Sequence, residues 1–154
     1  MSIEITRLFD FPYYQLEKYN LQKALTTNYN GNWESISTKE YIEKANTISR
    51  GLLRLGVQPN DKIAAISTNN RTEWNICDIG ILQTGAQTVP IYPTISKEDY
   101  EYILNHSESS YCIVSDISII EKLNQIKSKW NEFLEAKGKK GFFLCRNRKI
   151  CHFV

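Results

Sequence analysis

Residues 61–92 read DKIAAISTNNRTEWNICDIGILQTGAQTVPIY, and this stretch decides the fold class. Ile63-Ala-Ala-Ile66 is a short apolar run inside Lys62–Ser67, the pattern of a buried strand. Thr72 to Thr84 follows as a helix that is apolar over most of its surface, through Trp74, Ile76, Cys77, Ile79, Ile81 and Leu82. Gly85 stops it, and Thr88 to Tyr92 returns to strand character, ending near Pro90 and Pro93. A strand, a helix and a second strand at this spacing predict parallel pairing through a right-handed crossover.

The alternation continues on both sides. Ser96-Lys-Glu-Asp99 has the form of a helix cap, with Tyr100, Ile103 and Leu104 on the inner face. Tyr111 to Ser115 reads as a third strand and Ile117 to about Ile126 as a further helix. Upstream, Ser37-Thr-Lys-Glu40 is a capping box, in which each side chain satisfies an amide at the helix start. It opens a helix with the stripe Tyr41, Ala45, Ile48, Leu52 and Leu55, spaced three and four apart. Gly56 closes that helix, because glycine takes a left-handed cap without strain. Tyr14 to Leu25 is expected to be helical. Trp33 to Ser37 is expected to form a short strand after a turn at Tyr29-Asn-Gly-Asn32.

The 154 residues are 42% apolar and 23% charged, with a net charge of +2. This is globular composition, with enough chain for one core. No run approaches the roughly 18 consecutive apolar residues of a membrane span. Met1 to Phe11 mixes Glu4, Arg7 and Asp10 with apolar residues and does not resemble a signal peptide. The expected location is the cytoplasm, with peripheral membrane contact as a further expectation. Cys77 and Cys112 sit among isoleucines and valine and are expected to be free, buried thiols.

The charge is unevenly divided. Residues 1–128 hold 12 Lys/Arg against 15 Asp/Glu, and residues 129–154 hold 7 against 2. From Lys129 the periodic pattern lapses, and Phe142-Phe-Leu-Cys145 is an apolar run with no element after it. Two domains are therefore expected, a patterned α/β region over 1–128 and an aberrant, disordered basic tail over 129–154. A reading-frame shift or an early gene end near Lys127–Lys129 would produce such a change.

Several groups have chemical potential. Gly80-Ile-Leu-Gln-Thr-Gly85 has the glycine spacing of a phosphate loop, but Ala86 and Gln87 replace the required Lys and Ser/Thr. Close helix packing at Gly80 and a helix stop at Gly85 account for it better. Cys145, Cys151 and His152 lack the paired spacing and fourth ligand of a zinc site. His106 reads as a partner for a helix C-terminus. Glu98, Asp99, Glu101 and Glu108 read as a solvated helix face. Lys137, Lys139, Lys140, Arg146, Arg148 and Lys149, with Phe142 and Phe143 among them, could contact phosphates and bases. No nucleic-acid module precedes them, so an ordinary basic tail is the favoured reading. Trp33 and Trp74 read as packing anchors.

A family resemblance rests on several blocks in order. These are Tyr41-Ile-Glu-Lys-Ala45, Gly51-Leu-Leu-Arg-Leu-Gly-Val57, Asp61-Lys-Ile-Ala-Ala-Ile66, Asn69-Asn-Arg-Thr-Glu-Trp74, Gly85-Ala-Gln-Thr-Val-Pro-Ile-Tyr92 and Asn105-His-Ser-Glu-Ser109. Together they resemble the start of AMP-forming acyl-CoA synthetases, most of all the long-chain fatty acid branch, over roughly residues 3–127. The resemblance implies an incomplete N-terminal subdomain of the adenylate-forming fold. For the parent enzyme it implies fatty acid and CoA as partners, and ATP and magnesium in the chemistry. The family's phosphate loop, adenine segment, ribose-binding aspartate and catalytic lysine lie beyond the matched region. No residue here is therefore assigned a catalytic, cofactor-binding or metal role. No cofactor is expected in this chain, no nucleic acid is expected as partner, and the chain alone is expected to be inactive. Two alternatives remain open. One is a binding module that uses the basic tail on nucleic acid or anionic membrane. The other is a subunit completed by a second, downstream chain.

Overall fold

The computed structural model describes residues 4–139 and 141–145. The chain divides into two compact units, residues 1–59 with 70–86, and residues 60–69 with 87–154.

Among the described residues the first unit holds three α-helices and a hairpin. Helix α1 spans Phe11–Lys18, strands β1 and β2 span Leu25–Tyr29 and Asn32–Ile36, and helices α2 and α3 span Thr38–Arg54 and Thr72–Leu82. The α2 capping box forms as its sequence predicts: Glu40 N–H donates to Ser37 Oγ at 3.2 Å and Ser37 N–H donates to Glu40 Oε2 at 2.8 Å. At the other end Gly56 takes φ +90°. Val57 N–H then donates to the Leu52 carbonyl and Gly56 N–H to the Leu53 carbonyl, both at 3.1 Å. This is the Schellman closure that glycine permits. Ile42, Ala45, Ser49 and Leu52 form the buried stripe of α2, with Tyr41, Ile48 and Leu55 half-buried beside it.

The expected helix over Tyr14–Leu25 is shorter than its sequence suggests. α1 ends at Lys18, Asn20 turns left-handed at φ 42°, and Leu25 already belongs to β1. The competing interaction is the hairpin. Leu25 pairs with Ile36 and Tyr29 with Asn32 in an antiparallel ladder, and β-branched Thr26 and Thr27 suit that ladder. Asn30 at φ 53° and Gly31 at φ 91° make the two-residue turn, in which both central residues must be left-handed to match the strand twist.

The second unit is a parallel sheet. Strands β3 (Lys62–Ile66), β4 (Gln87–Ile91), β5 (Tyr111–Val114) and β6 (Phe142–Cys145) stand in the order β4-β3-β5-β6, and every neighbouring pair is parallel. Pro90 is tolerated because β4 is an edge strand. Helices α4 (Lys97–Ser107), α5 (Ile117–Asn124) and α6 (Lys127–Glu135) complete the unit. Ala64 lies beside Val89 and Cys112, and Ile66 beside Ile91 and Val114, so one face of the sheet carries two apolar rows. Tyr100, Leu104, Ile119, Leu123, Ile126, Trp130 and Leu134 pack on those rows as one core. The other face is also buried at Ile63, Ala65 and Tyr111, as a parallel sheet requires.

Helix α6 and strand β6 carry secondary structure past residue 128. Trp130 is 1% exposed and Leu134 is fully buried in the core. The Trp130 indole N–H donates to the Ser109 carbonyl at 3.2 Å. A Cβ on Gly141 would lie 2.8 Å from Trp130 Cζ3, so the chain passes close over the indole there. The backbone of β6 then pairs with β5 from Tyr111↔Phe142 to Val114↔Cys145. Within α6 only Trp130, Phe133 and Leu134 are large apolar residues among polar neighbours. The carbonyl that accepts the Trp130 indole N–H lies 21 residues upstream. Residues 146–154, including Cys151 and His152, lie outside the described residues.

Candidate functional site

In an open parallel sheet, ligands bind beyond the carboxyl ends of the strands, where the strand order reverses. Here β4 lies on one side of β3 and β5 on the other, so the reversal falls at β3 and β5. Ile66 is level with both Ile91 and Val114. The segments that begin at Ser67, Tyr92 and Ser115 therefore emerge at one end of the sheet.

Thr68, Ser115 and Asp116 form a connected polar set at this end. Ser115 N–H donates to the Ile66 carbonyl at 3.0 Å, holding the two strand ends together. Thr68 N–H donates to Ser115 Oγ at 3.1 Å, and Thr68 Oγ1–H donates to Asp116 Oδ2 at 2.5 Å. The Ser115 hydroxyl also donates to Asp116 Oδ2. Ser67 Oγ–H donates to the Asn69 carbonyl at 2.6 Å. Tyr92 is 80% exposed at the end of β4, and its carbonyl accepts from Tyr100 Oη at 3.2 Å. Hydroxyls and one carboxylate can orient a polar ligand by hydrogen bonds. The sequence did not single out Ser67, Thr68 or Ser115, since only the strand order gathers these residues.

The glycine run behaves as packing. Gly80 lies inside α3, where a Cβ would meet Ile48 Cβ at 2.7 Å and the Ala45 carbonyl oxygen at 2.9 Å. Gly85 has φ +80° just after α3. The run therefore ends a helix, whereas a phosphate loop must begin one.

The acidic residues divide their work. Asp99 closes the α4 capping box, accepting Ser96 N–H at 3.3 Å and Ser96 Oγ–H at 2.8 Å. Glu98 lies 3.8 Å from Lys97, and Glu101 lies 3.4 Å from Lys129. Glu108 pairs with Lys137, and Lys139 lies 4.0 Å from its other oxygen. The Lys137 hydrogen bond holds the Glu108 carboxyl below the usual carboxylate range. Lys129, Lys137 and Lys139 are thus placed against the acids of α4 and its cap. Lys140, Arg146, Arg148 and Lys149 lie outside the described residues.

His106, in the last turn of α4, stacks on Tyr102 with ring centroids 5.5 Å apart. Burial pushes the Cys77 thiol up to about 11 and raises Cys112 further, so both are poor nucleophiles near neutrality. Trp74 is half-buried, whereas Trp33 is 72% exposed on β2 and does not anchor the core. Among the described residues no group of three or more His, Cys, Asp or Glu side chains is placed to hold a metal. No described helix is long and apolar enough to cross a membrane.

Comparison with known proteins adds a family. Residues 14–140 match the family described as AMP-binding enzyme. A long-chain-fatty-acid–CoA ligase of Drosophila melanogaster, called heimdall, is 32% identical over 117 residues, 73% of this chain and 17% of the relative. A ligase of the same description from Mycobacterium bovis is 39% identical over 79 residues, 51% of this chain and 13% of that protein. The chain thus spans less than a fifth of the relatives it matches.

Solved structures agree on the fold. An anthranilate CoA ligase in complex with anthranoyl-AMP superposes with TM-score 0.74 at 20% identity, over 89% of this chain and 24% of that one. The N-terminal domain of a Mycobacterium tuberculosis protein, solved with an inhibitor, gives 0.68 at 18% identity, over 89% and 33%. These likenesses establish an α/β fold shared with the N-terminal domain of adenylate-forming enzymes.

Proposed function

Since this chain belongs to the AMP-binding enzyme family, we propose that it forms the opening α/β portion of a long-chain fatty acid–CoA ligase. The observation that carries the reading is the family match across 14–140, together with relatives named as long-chain fatty acid–CoA ligases. The whole enzyme would join a fatty acid to ATP, release pyrophosphate, and pass the acyl group from the adenylate to CoA.

In this reading the nucleotide and its magnesium belong to the parts of the enzyme that lie beyond the matched region. The Gly80–Gly85 run closes a helix, which supports a packing role for it. The chain's role in this reading is scaffold: a sheet whose carboxyl end, at Thr68, Ser115 and Asp116, flanks the reacting groups supplied by the rest of the enzyme. Alone, the chain would bind neither ATP nor acyl-adenylate productively. A separate chain carrying the downstream part is the partner that would complete it.

The test is fatty acid-dependent exchange of pyrophosphate into ATP by the purified chain. No exchange is expected from this chain alone, and exchange above background would overturn the scaffold assignment. Exchange that appears only on mixing with the downstream portion of a long-chain ligase would support completion by a partner chain.

A further inference from the structure

We draw no further inference here: the strongest candidate, the exposed apolar patch of Leu8, Phe11, Tyr19 and Leu21 around α1, is an unpartnered face, and nothing in the structure shows what covers it.

Discussion

Thr27 on β1 caps α3 from outside the helix: its Oγ1 accepts the Thr72 amide at 2.7 Å, and the two threonine hydroxyls share a second hydrogen bond of 2.8 Å. Arg71, at the N-cap position itself, makes no side-chain cap. The helix start is therefore satisfied across 45 residues of chain. Tyr29 strengthens the same junction, donating to Glu73 at 2.6 Å.

Replacing Thr27 with Val keeps the shape and removes the acceptor. The Thr72 amide is then buried without a partner, which costs about 1–2 kcal/mol. Urea unfolding should show a lower midpoint with little change in slope. An unchanged midpoint would show that the Thr27 hydroxyl does not support α3.

Gly80 and Gly51 both lie within helices, yet their alanine variants should move in opposite directions. Gly51→Ala meets nothing within 4 Å, so better helix propensity should stabilise the chain by about 0.5–1 kcal/mol. Gly80→Ala places a methyl 2.7 Å from Ile48, and overpacking of that kind costs about 1–3 kcal/mol. Thermal melts of the two variants compare them directly. Equal stabilisation of both would refute the close approach of α2 and α3.

Trp130→Ala empties a site that is 1% exposed and should destabilise by about 3–5 kcal/mol. A chain ending at Ser128 should lose its cooperative melt for the same reason. If that shortened chain melts like the parent, α6 and β6 are dispensable and the domain does end near residue 128.

Asp10 supplies an acid-sensitive contact. Its carboxyl is pulled from 3.8 down to about 2, chiefly by the hydrogen bond from the Arg7 guanidinium. A carboxyl with a depressed folded-state pKa stabilises the fold above its unfolded value, and that contribution fades as pH falls. Asp10→Asn should therefore be the less stable form at neutral pH. The gap should close between about pH 4 and pH 2, as read by unfolding midpoints across that window. A gap independent of pH would assign the effect to neutral hydrogen bonding.

The legible features were local. The capping boxes at Ser37 and Ser96 and the closure at Gly56 each depend on residues within a few positions. So do the apolar runs of β3 and β5, and the sequence specified each of these. Gly80 was also readable as a packing glycine, although Ile48 could be named as its neighbour only once α2 and α3 were in place. The helix expected through Leu25 was overruled because ladder hydrogen bonds with Asn32–Ile36 outweighed local helical preference.

By itself, then, the sequence determined the α/β class and the caps and turns of the elements, because those energies arise between near neighbours in the chain. Through its ordered blocks it also pointed to the family. Tertiary structure alone decided that Thr27 caps α3, that Trp130 and β6 join the sheet unit, and that Thr68 meets Asp116 at the strand ends. Each of those contacts spans 20 residues or more. Such contacts exist only after the loop-closure entropy has been overcome by the folded core, and no local pattern records them.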